Sequence, residues 1–599
     1  MADISTTTLK AEVDRLHLEI QALQSKTGSE RITVGKYLLE RLAQMGVTHI
    51  FGLPGDFNLT FLDLIEDHPK IQWVGNCNEL NSSYAADGYA RVKSNSLGVI
   101  LTTFGVGELS AINGIAGAFS EMVPVLHIVG VPTTKEHKTR PLLHHTLGDG
   151  RYNAYREASA PFVILEENLM NRNTAATQID NAISECITKA RPVYMTLPTD
   201  MVYQEISTER LKTPLSHSLP LNDPQMEEYV IDSIFERVQE AEGDVVVLAD
   251  ACVIRHGVRK EVAEFLRETG FPVYATPMGK TAIDESWHRY GGIYVGSLTH
   301  PSIKDKVENA KLMISIGLLS TDFNTGNFSY NIPTRRLIEL HSSWTKIQYG
   351  LYEGIGMKQL LPKLTERLQH FYPVAHKIPV PKFQALVPQE QTHMISHAWF
   401  WPRLASFFQP GDVIVTETGT SNFGILDIPL PTGCRLISQV LWGSIGWSVG
   451  SALGAALAAR ERGMNRVILF VGDGSLQLTV QELSPMIKNG LRPIIFVLNN
   501  KGYTIERCIH GKNRKYNDIS NWDWPALLDV FNDSGKFETG SHVARNKDDI
   551  SMLLDDKSFN HADKIKIVEV QMGAFDAPKS LERQAAMTGA SHRAVAAVN

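Results

Sequence analysis

Along its apolar and polar positions, the chain alternates short runs of Val, Ile and Leu with turns rich in glycine and small polar residues. The first third carries THIFGLPGD, GVILTTFGVGE, PVLHIVGVP and PVYMTLPTD; the middle carries DVVVLADAC, PVYATPMGK, KLMISIGLL and RLIELHSS. The last third carries DVIVTETGT, RVILFVGDGS, PIIFVLNN and KIVEVQMG. Apolar runs without alternation mark parallel strands covered on both faces. Between them lie amphipathic stretches such as VGKYLLERLAQMG, where Val34, Leu38 and Leu42 recur at helical spacing. This succession of strand, turn and helix predicts an α/β fold of three consecutive doubly wound parallel-sheet domains. The polar stretch SLPLNDPQ (218–225) and the proline-rich HKIPVPKFQALVPQEQ (376–391) read as linkers. The expected domains are therefore 31–215, 226–375 and 392–599, preceded by a helical extension over 1–30.

A chain of 599 residues is too long for one core, in keeping with that division. With 43% apolar and 21% charged residues and a net charge of -7, it offers no basic face to nucleic acid. The cysteines (Cys77, Cys186, Cys252, Cys434 and Cys508) form no CxxC pair and read as reduced thiols. The most apolar helical stretch, IGWSVGSALGAALAA, is shorter than the ~20 residues a bilayer requires. The N-terminus lacks the apolar core of a signal peptide and carries acids unlike a transit peptide. The expected setting is the cytoplasm, with neither nucleic acid nor membrane as partner.

Within residues 1–30, Leu9, Val13, Leu16, Ile20 and Leu23 alternate at spacings of four and three, the seam of a short parallel coiled coil. Thr8 can cap its start and Gly28 lies just past its end. So short a seam is marginal alone in water. The plainer expectation is that it docks on its own subunit or frays; the sharper one is that copies pair between oligomers and build larger assemblies.

The most informative segment is RVILFVGDGSLQLTVQELSPMIKNGLRPIIFVLNNKGYTIE. One predicted strand ends at Gly472-Asp473-Gly474-Ser475, a helix follows, and the next strand ends at Asn499-Asn500. Residues just past the carboxyl ends of parallel strands line the ligand crevice, so Asp473 and Asn500 are expected side by side on that rim. A carboxylate, a carboxamide oxygen and the Gly502 carbonyl make a hard oxygen set suited to Mg2+, with positions left for two phosphate oxygens and a water. Gly474 lets the backbone approach a phosphate, and the following helix offers free N–H groups to it. Gly-Asp-Gly alone is most often a turn. Strand, GDGS, helix, strand and NN in this order form a far more specific pattern, which resembles the signature of thiamine diphosphate enzymes.

The first domain carries the complement. In NELNSSYAADGYAR (78–91), Glu79 precedes a helix of small residues. A glutamate at a helix start ordinarily offsets the helix dipole. This stretch, however, resembles the family's activating-glutamate motif, whose carboxylate hydrogen-bonds the aminopyrimidine ring and favours its imino form. GLPGDFN holds Asp56, LLHHTLGDG holds His144 and His145, and NKGYTIER holds Glu506. Singly these read as a turn aspartate, loop histidines and a helix-face charge. Together they resemble the acid–base set of the pyruvate decarboxylase-like family. TTFGVGELSAINGIAG, DFNTGNFSY, ETGTSNFGI and LWGSIGWS are similar to its fungal members. Acetohydroxyacid synthases and related oxidases share the GDG…NN element but lack the paired histidines.

The resemblance implies non-oxidative decarboxylation of a 2-oxo acid, pyruvate first, through a thiamine diphosphate ylide and an enamine, as in alcoholic fermentation. It implies that Glu79 activates the cofactor, while Asp56, His144, His145 and Glu506 handle protons. Asp56 and Glu506, brought close in a partly dry site, should not both ionise readily. Thr418, Gly443 and Ile445 are carried over to the cofactor, with the Gly443 carbonyl accepting from the aminopyrimidine amine and Ile445 propping the two rings. Thr420 and Ser475 are carried over to cofactor or diphosphate, and Phe323, Ile505 and Ile509 to the substrate wall. Glu79 and Asp473 would come from different subunits, so a dimer is the smallest active unit and a dimer of dimers the usual form. An indolepyruvate or phenylpyruvate decarboxylase with a wider pocket is the nearest alternative; a non-catalytic, assembly-forming paralogue is another. Cys252 stands where an activating thiol has been placed in yeast-type relatives, but Met122 replaces the histidine of that relay. The plain reading of Cys252 is a buried small residue after a strand.

Overall fold

The computed structural model describes Arg15, residues 30–464 and residues 466–598, with side chains as far as Ala590. The extension expected over 1–30, with its coiled-coil seam, lies outside the described residues but for Arg15 and Glu30. Each apolar run quoted above forms a strand, from His49–Gly52 to Ile565–Gln571. Their residues are almost all buried, as in Val245–Ala249 and Ile494–Asn499, because helices cover both faces.

Among the described residues the strands build three large sheets and one small pair. In the N-terminal sheet the order is Gln72–Gly75, His49–Gly52, Gly98–Thr103, Val125–Val131, Val193–Pro198 and Glu166–Asn168, all parallel. In the C-terminal sheet it is Arg435–Ser438, Val413–Thr416, Val467–Gly472, Ile494–Asn499, Ile565–Gln571 and Thr539–Ala544, again all parallel. Counted from the first strand of each, both follow the order 2-1-3-4-6-5. The middle sheet instead places Tyr290–Ile293, Val273–Ala275, Val245–Ala249, Leu312–Ile316 and Leu337–Leu340 in parallel. It then adds the antiparallel hairpin of Trp344–Ile347 and Gly350–Glu353, which the apolar pattern does not announce.

The other unannounced strands in these sheets are their edges: Gln72–Gly75, Glu166–Asn168, Tyr290–Ile293, Arg435–Ser438 and Thr539–Ala544. Edges are short and partly wet, so their composition carries polar residues and little periodicity. The chain divides into two compact units. The first runs to Ala86 and takes in Asn95–Phe119 and Pro124–His217; the second takes Asp87–Ser94, Ser120–Val123 and the chain from Ser218 onward. In the first unit the helix Val34–Gln44 buries Val34, Leu38 and Leu42 in a core with Ile50, Val99 and Leu126. Each such side chain contributes roughly 1.5–3 kcal/mol of burial. The second unit has the core of the middle sheet around Val247, Ile314 and Leu360 and that of the C-terminal sheet around Phe400, Phe470 and Phe496. No helix among the described residues is long and apolar enough to cross a membrane.

Candidate active site

In the first unit the candidate residues follow the carboxyl ends of strands. Asp56 sits in the turn after His49–Gly52, which Asn58 staples by accepting from the Gly55 N–H (2.9 Å) and donating to the Leu53 carbonyl (3.0 Å). His144 Nε2 lies 2.5 Å from Asp56 Oδ2, and His145 Nε2 lies 4.0 Å from Asp56 Oδ1. The His144 ring stacks on buried Phe57, with centroids 5.2 Å apart and planes at 14°. His145 takes a left-handed backbone (φ 64°), and its carbonyl accepts from the Tyr155 hydroxyl at 2.6 Å. The Asp56 and His144 side chains remain 45% and 59% exposed, so protons can reach them from solvent.

Glu79 is the first residue of the helix Glu79–Val92 and is half-buried, and burial raises its carboxyl above the ordinary value. A Cβ on Gly107, at the start of the helix Val106–Ser120, would stand only 2.9 Å from Glu79 Oε1. The glycine therefore lets that helix approach the carboxylate closely.

In the second unit four neighbouring strands end at Ser438, Thr416, Gly472 and Asn499, and the next residues are Gln439, Glu417, Asp473 and Asn500. Asp473 is buried; its carboxylate accepts from the Gly474 N–H at 2.8 Å and the Gly502 N–H at 3.1 Å. Burial nonetheless raises its pKa to about 6. One end of the Asn500 amide is 2.6 Å from the Gly502 carbonyl oxygen and 3.3 Å from Asp473 Oδ1. With its oxygen there, three oxygens converge as a hard dication requires; turned over, its nitrogen donates to both neighbours. Gly502 has φ 137°, and a Cβ on it would stand 2.1 Å from the Asn517 carbonyl oxygen, so no other residue fits there.

These residues line a cavity of about 370 Å³ together with Thr418, Thr420, Ile445, Gly474 and Ser475. A second cavity of about 490 Å³ shares Thr418, Gly419 and Ile505 with it and has an apolar wall of Phe323, Phe423 and Leu426. Phe323 and Phe423 meet edge to face at 5.8 Å. Ile509, at the end of the short helix Thr504–Ile509, is not among the residues lining either cavity, and Glu506 on the same helix is exposed. Gly443 lines neither cavity, but a Cβ on it would stand 3.6 Å from Thr418 Cγ2.

The sequence matches the N-terminal thiamine pyrophosphate-binding domain of thiamine pyrophosphate enzymes over residues 32–151, their central domain over 231–351, and their C-terminal thiamine pyrophosphate-binding domain over 419–536. It is similar to the pyruvate decarboxylase of Aspergillus fumigatus, at 47% identity over 92% of this chain and 96% of that one. It is equally similar, at 47% identity, to the pyruvate decarboxylase of Candida glabrata, over 93% of this chain and 98% of that one. Pyruvate decarboxylase isozyme 1 of Saccharomyces cerevisiae is likewise 47% identical, over 94% and 99%. The chain belongs to the pyruvate decarboxylase branch of the thiamine pyrophosphate enzymes.

A thiamine pyrophosphate enzyme must hold a diphosphate beside a cation, and the convergent oxygens of Asp473, Asn500 and Gly502 fit that need. Several residues that shape the site escaped the sequence reading. Glu417 is buried, which raises its pKa to about 7, and it accepts from the N–H groups of Thr418, Gly446 and Ser448 and from the Ser448 hydroxyl. It thereby holds the loop that carries Gly443 and Ile445. Gln439 accepts from the Ser444 N–H at 2.7 Å, and its own carbonyl accepts from Thr418 Oγ1 and Asn422 Nδ2. Glu121 accepts from three successive N–H groups, those of Val440, Leu441 and Trp442. Arg507 is buried and donates to the carbonyls of Asn500, Lys501 and Asn517 and to the Asp518 carboxylate, fixing the turn that presents Asn500 and Gly502. Only Glu417 had a visible signal, an acid at the end of the apolar run DVIVTETGT. Cys252 is buried with its sulfur 3.4 Å from Met122 Sδ.

Proposed function

We propose that this chain decarboxylates pyruvate to acetaldehyde and carbon dioxide without oxidation, using thiamine diphosphate and Mg2+. The observation that carries this reading is the cluster of Asp56, His144 and His145, whose ligand atoms lie within 4.8 Å of one another. Release of an aldehyde needs a proton delivered to carbon and another moved to and from oxygen, and imidazoles held by a carboxylate are suited to both near neutral pH. Asp473, Asn500 and the Gly502 carbonyl would hold the Mg2+, and Gly474, Ser475 and Thr420 would face the diphosphate. Thr418, the Gly443 carbonyl and Ile445 would position the rings. Glu79 would hydrogen-bond the aminopyrimidine, and its half-buried carboxyl is poised to keep or release a proton there. Thiamine diphosphate, when bound, supplies a nucleophilic carbon and an electron sink for the carbanion left when carbon dioxide departs.

The chain's own groups then do the rest. Phe323 and Ile505 offer an apolar surface to the substrate's methyl group, with Ile509 flanking it. Glu506 and Asp56 serve the acid–base steps beside the histidines. The domains implied are 31–215 for the aminopyrimidine, a central domain at 226–375, and 392–599 for the diphosphate and Mg2+. The active unit is a dimer, assembled as a dimer of dimers in the cytoplasm, which follows from the family resemblance placing Glu79 and Asp473 on different subunits. The test is an aldehyde-coupled assay of the holoenzyme with pyruvate and, separately, phenylpyruvate and indolepyruvate. The expected result is a higher kcat/KM for pyruvate. A preference for either aromatic acid would replace the substrate, and no aldehyde from any of them would overturn the reading.

A further inference from the structure

Two imidazoles and a carboxylate converge on the rim of the N-terminal sheet for reasons that lie in the backbone. Adjacent side chains of an extended chain point to opposite sides. The left-handed residue His145 (φ 64°) breaks that alternation, so the rings of His144 and His145 stand 4.7 Å apart and both face Asp56. Phe57, next to Asp56 in the chain, is a shared platform: His144 stacks on it and His145 meets it edge to face, with centroids 6.4 Å apart. The loop that carries the histidines is tied down along its length. The Tyr152 hydroxyl donates to the Pro141 carbonyl at 2.5 Å, that of Thr146 to Leu143 at 2.6 Å, and that of Tyr155 to His145. A Cβ on Gly105 would stand 2.5 Å from the His145 carbonyl oxygen, so only glycine lets the loop lie so close. A fixed backbone thus presents three side chains that solvent can reach.

Among the described residues, no other group of three His, Cys, Asp or Glu side chains brings its ligand atoms so close together. His144 Nε2 is 2.5 Å from one Asp56 carboxylate oxygen, and His145 Nε2 is 4.0 Å from the other. Four-coordinate Zn2+, with bonds of about 2.0–2.2 Å, holds its ligand atoms about 3.3 Å apart. The first spacing must open and the second close, each by less than about 1 Å, which rotation of side chains with open outer faces supplies. Two imidazole nitrogens and a carboxylate oxygen suit Zn2+ and its neighbours in the first transition row. Mg2+, which takes oxygen, is better served by Asp473, Asn500 and Gly502. A set of three also leaves a fourth position for water. We propose that Asp56, His144 and His145 form a binding site for a divalent transition-metal ion, Zn2+ foremost, distinct from the Mg2+ site. The site stands on geometry alone. Its consequence for turnover rests on the proposed function, because a bound ion occupies the lone pairs that would otherwise carry protons.

The test uses holoenzyme loaded with thiamine diphosphate and Mg2+, freed of unbound cofactor and kept in excess Mg2+. Calorimetric titration with Zn2+ should show one saturable site per chain. Binding should weaken at least tenfold in His145→Asn, which keeps a residue tolerant of the left-handed backbone, and vanish in His144→Asn/His145→Asn. Co2+ gives a readout that needs no variant. Two nitrogens, an oxygen and a water should produce the intense visible absorption of four-coordinate Co2+, and added Zn2+ should remove it; a six-coordinate, all-oxygen site absorbs only weakly. Zn2+ should raise the Tm of wild type and not that of the double variant. No saturable Zn2+ binding by wild type, undiminished binding by the double variant, or a six-coordinate Co2+ spectrum would overturn the proposal. Turnover of pyruvate should fall in step with Zn2+ occupancy. Occupancy with full turnover would uphold the metal site and remove these residues from the proton steps, so the two readings fail separately.

Discussion

The N-terminal and C-terminal sheets share one strand order, yet their carboxyl-end rims carry opposite kinds of chemistry. The first places Asp56, His144 and His145 on loops, the first two exposed and His145 half-buried, held by few bonds. The second places Asp473, Asn500 and Gly502 out of water, with Arg507 bonding the turn from behind. Proton traffic needs groups that exchange with solvent and titrate near neutrality. A dication bridging phosphates needs oxygens that are dry, fixed and repelled by one another until the ion arrives. The topology supplies a rim, and the depth of each loop decides what the rim can do.

The most severe break in that contrast is Asp473→Ala, which removes the carboxylate of the buried set. Mg2+-dependent retention of thiamine diphosphate should be abolished, as read by calorimetry of the apoenzyme. Undiminished binding at ordinary Mg2+ would reduce the GDGS segment to a turn. Next comes Glu79→Gln on the other rim. It should leave cofactor binding intact but lower turnover by about a hundredfold or more, within the range for acid–base groups. Hydrogen–deuterium exchange at the thiazolium carbon as fast as in wild type would remove Glu79 from that role.

Glu108 separates burial from cation binding, since it is buried in the first unit with no cation role assigned to it. Its carboxylate accepts from the Gly105 N–H at 2.8 Å and the Tyr194 hydroxyl at 2.6 Å, and burial raises its pKa to about 7. Between the unfolded value near ~4.5 and the folded one, the folded chain keeps a proton that the unfolded chain has lost. Stability from this group therefore falls as pH rises through that window, by on the order of 3 kcal/mol. Glu108→Gln retains both contacts, the amide oxygen accepting from Gly105 and the nitrogen donating to Tyr194. Its Tm relative to wild type should rise from pH 5 to pH 8; a constant difference would show that Glu108 does not titrate there.

A smaller effect is expected from Arg507→Met, which leaves the metal ligands in place but removes the hydrogen bonds to the carbonyls of Asn500, Lys501, Asn517 and Ala574. The Mg2+ needed for half-maximal activity should rise about tenfold, the scale of one or two lost charged hydrogen bonds. An unchanged requirement would mean that the turn holds itself. Ile505→Ala should have the mildest consequence, a several-fold gain in kcat/KM for phenylpyruvate relative to pyruvate, roughly what a few methylene groups discriminate. No shift in that ratio would place the aromatic acid elsewhere than against this wall.

The inner strands of all three sheets were legible because full burial on both faces leaves no option but continuous Val, Ile and Leu. The edges and the hairpin Trp344–Glu353 were not, because a half-wet strand has no compositional signature of its own. The oxygen set was legible for a similar reason: a short-range constraint, strand end against strand end, fixes Asp473 beside Asn500 whatever else the chain does. Asn500, the second of the NN pair, is the partner of Asp473 that the strand ends predict. The tertiary structure agrees, with Asn499 engaged by Glu569 at 2.6 Å. The sequence could not show that Glu417, Gln439 and Arg507 brace the site. Their partners are mainly backbone groups, which carry no residue identity, so only the folded path of the chain brings each side chain to the carbonyl or N–H it holds.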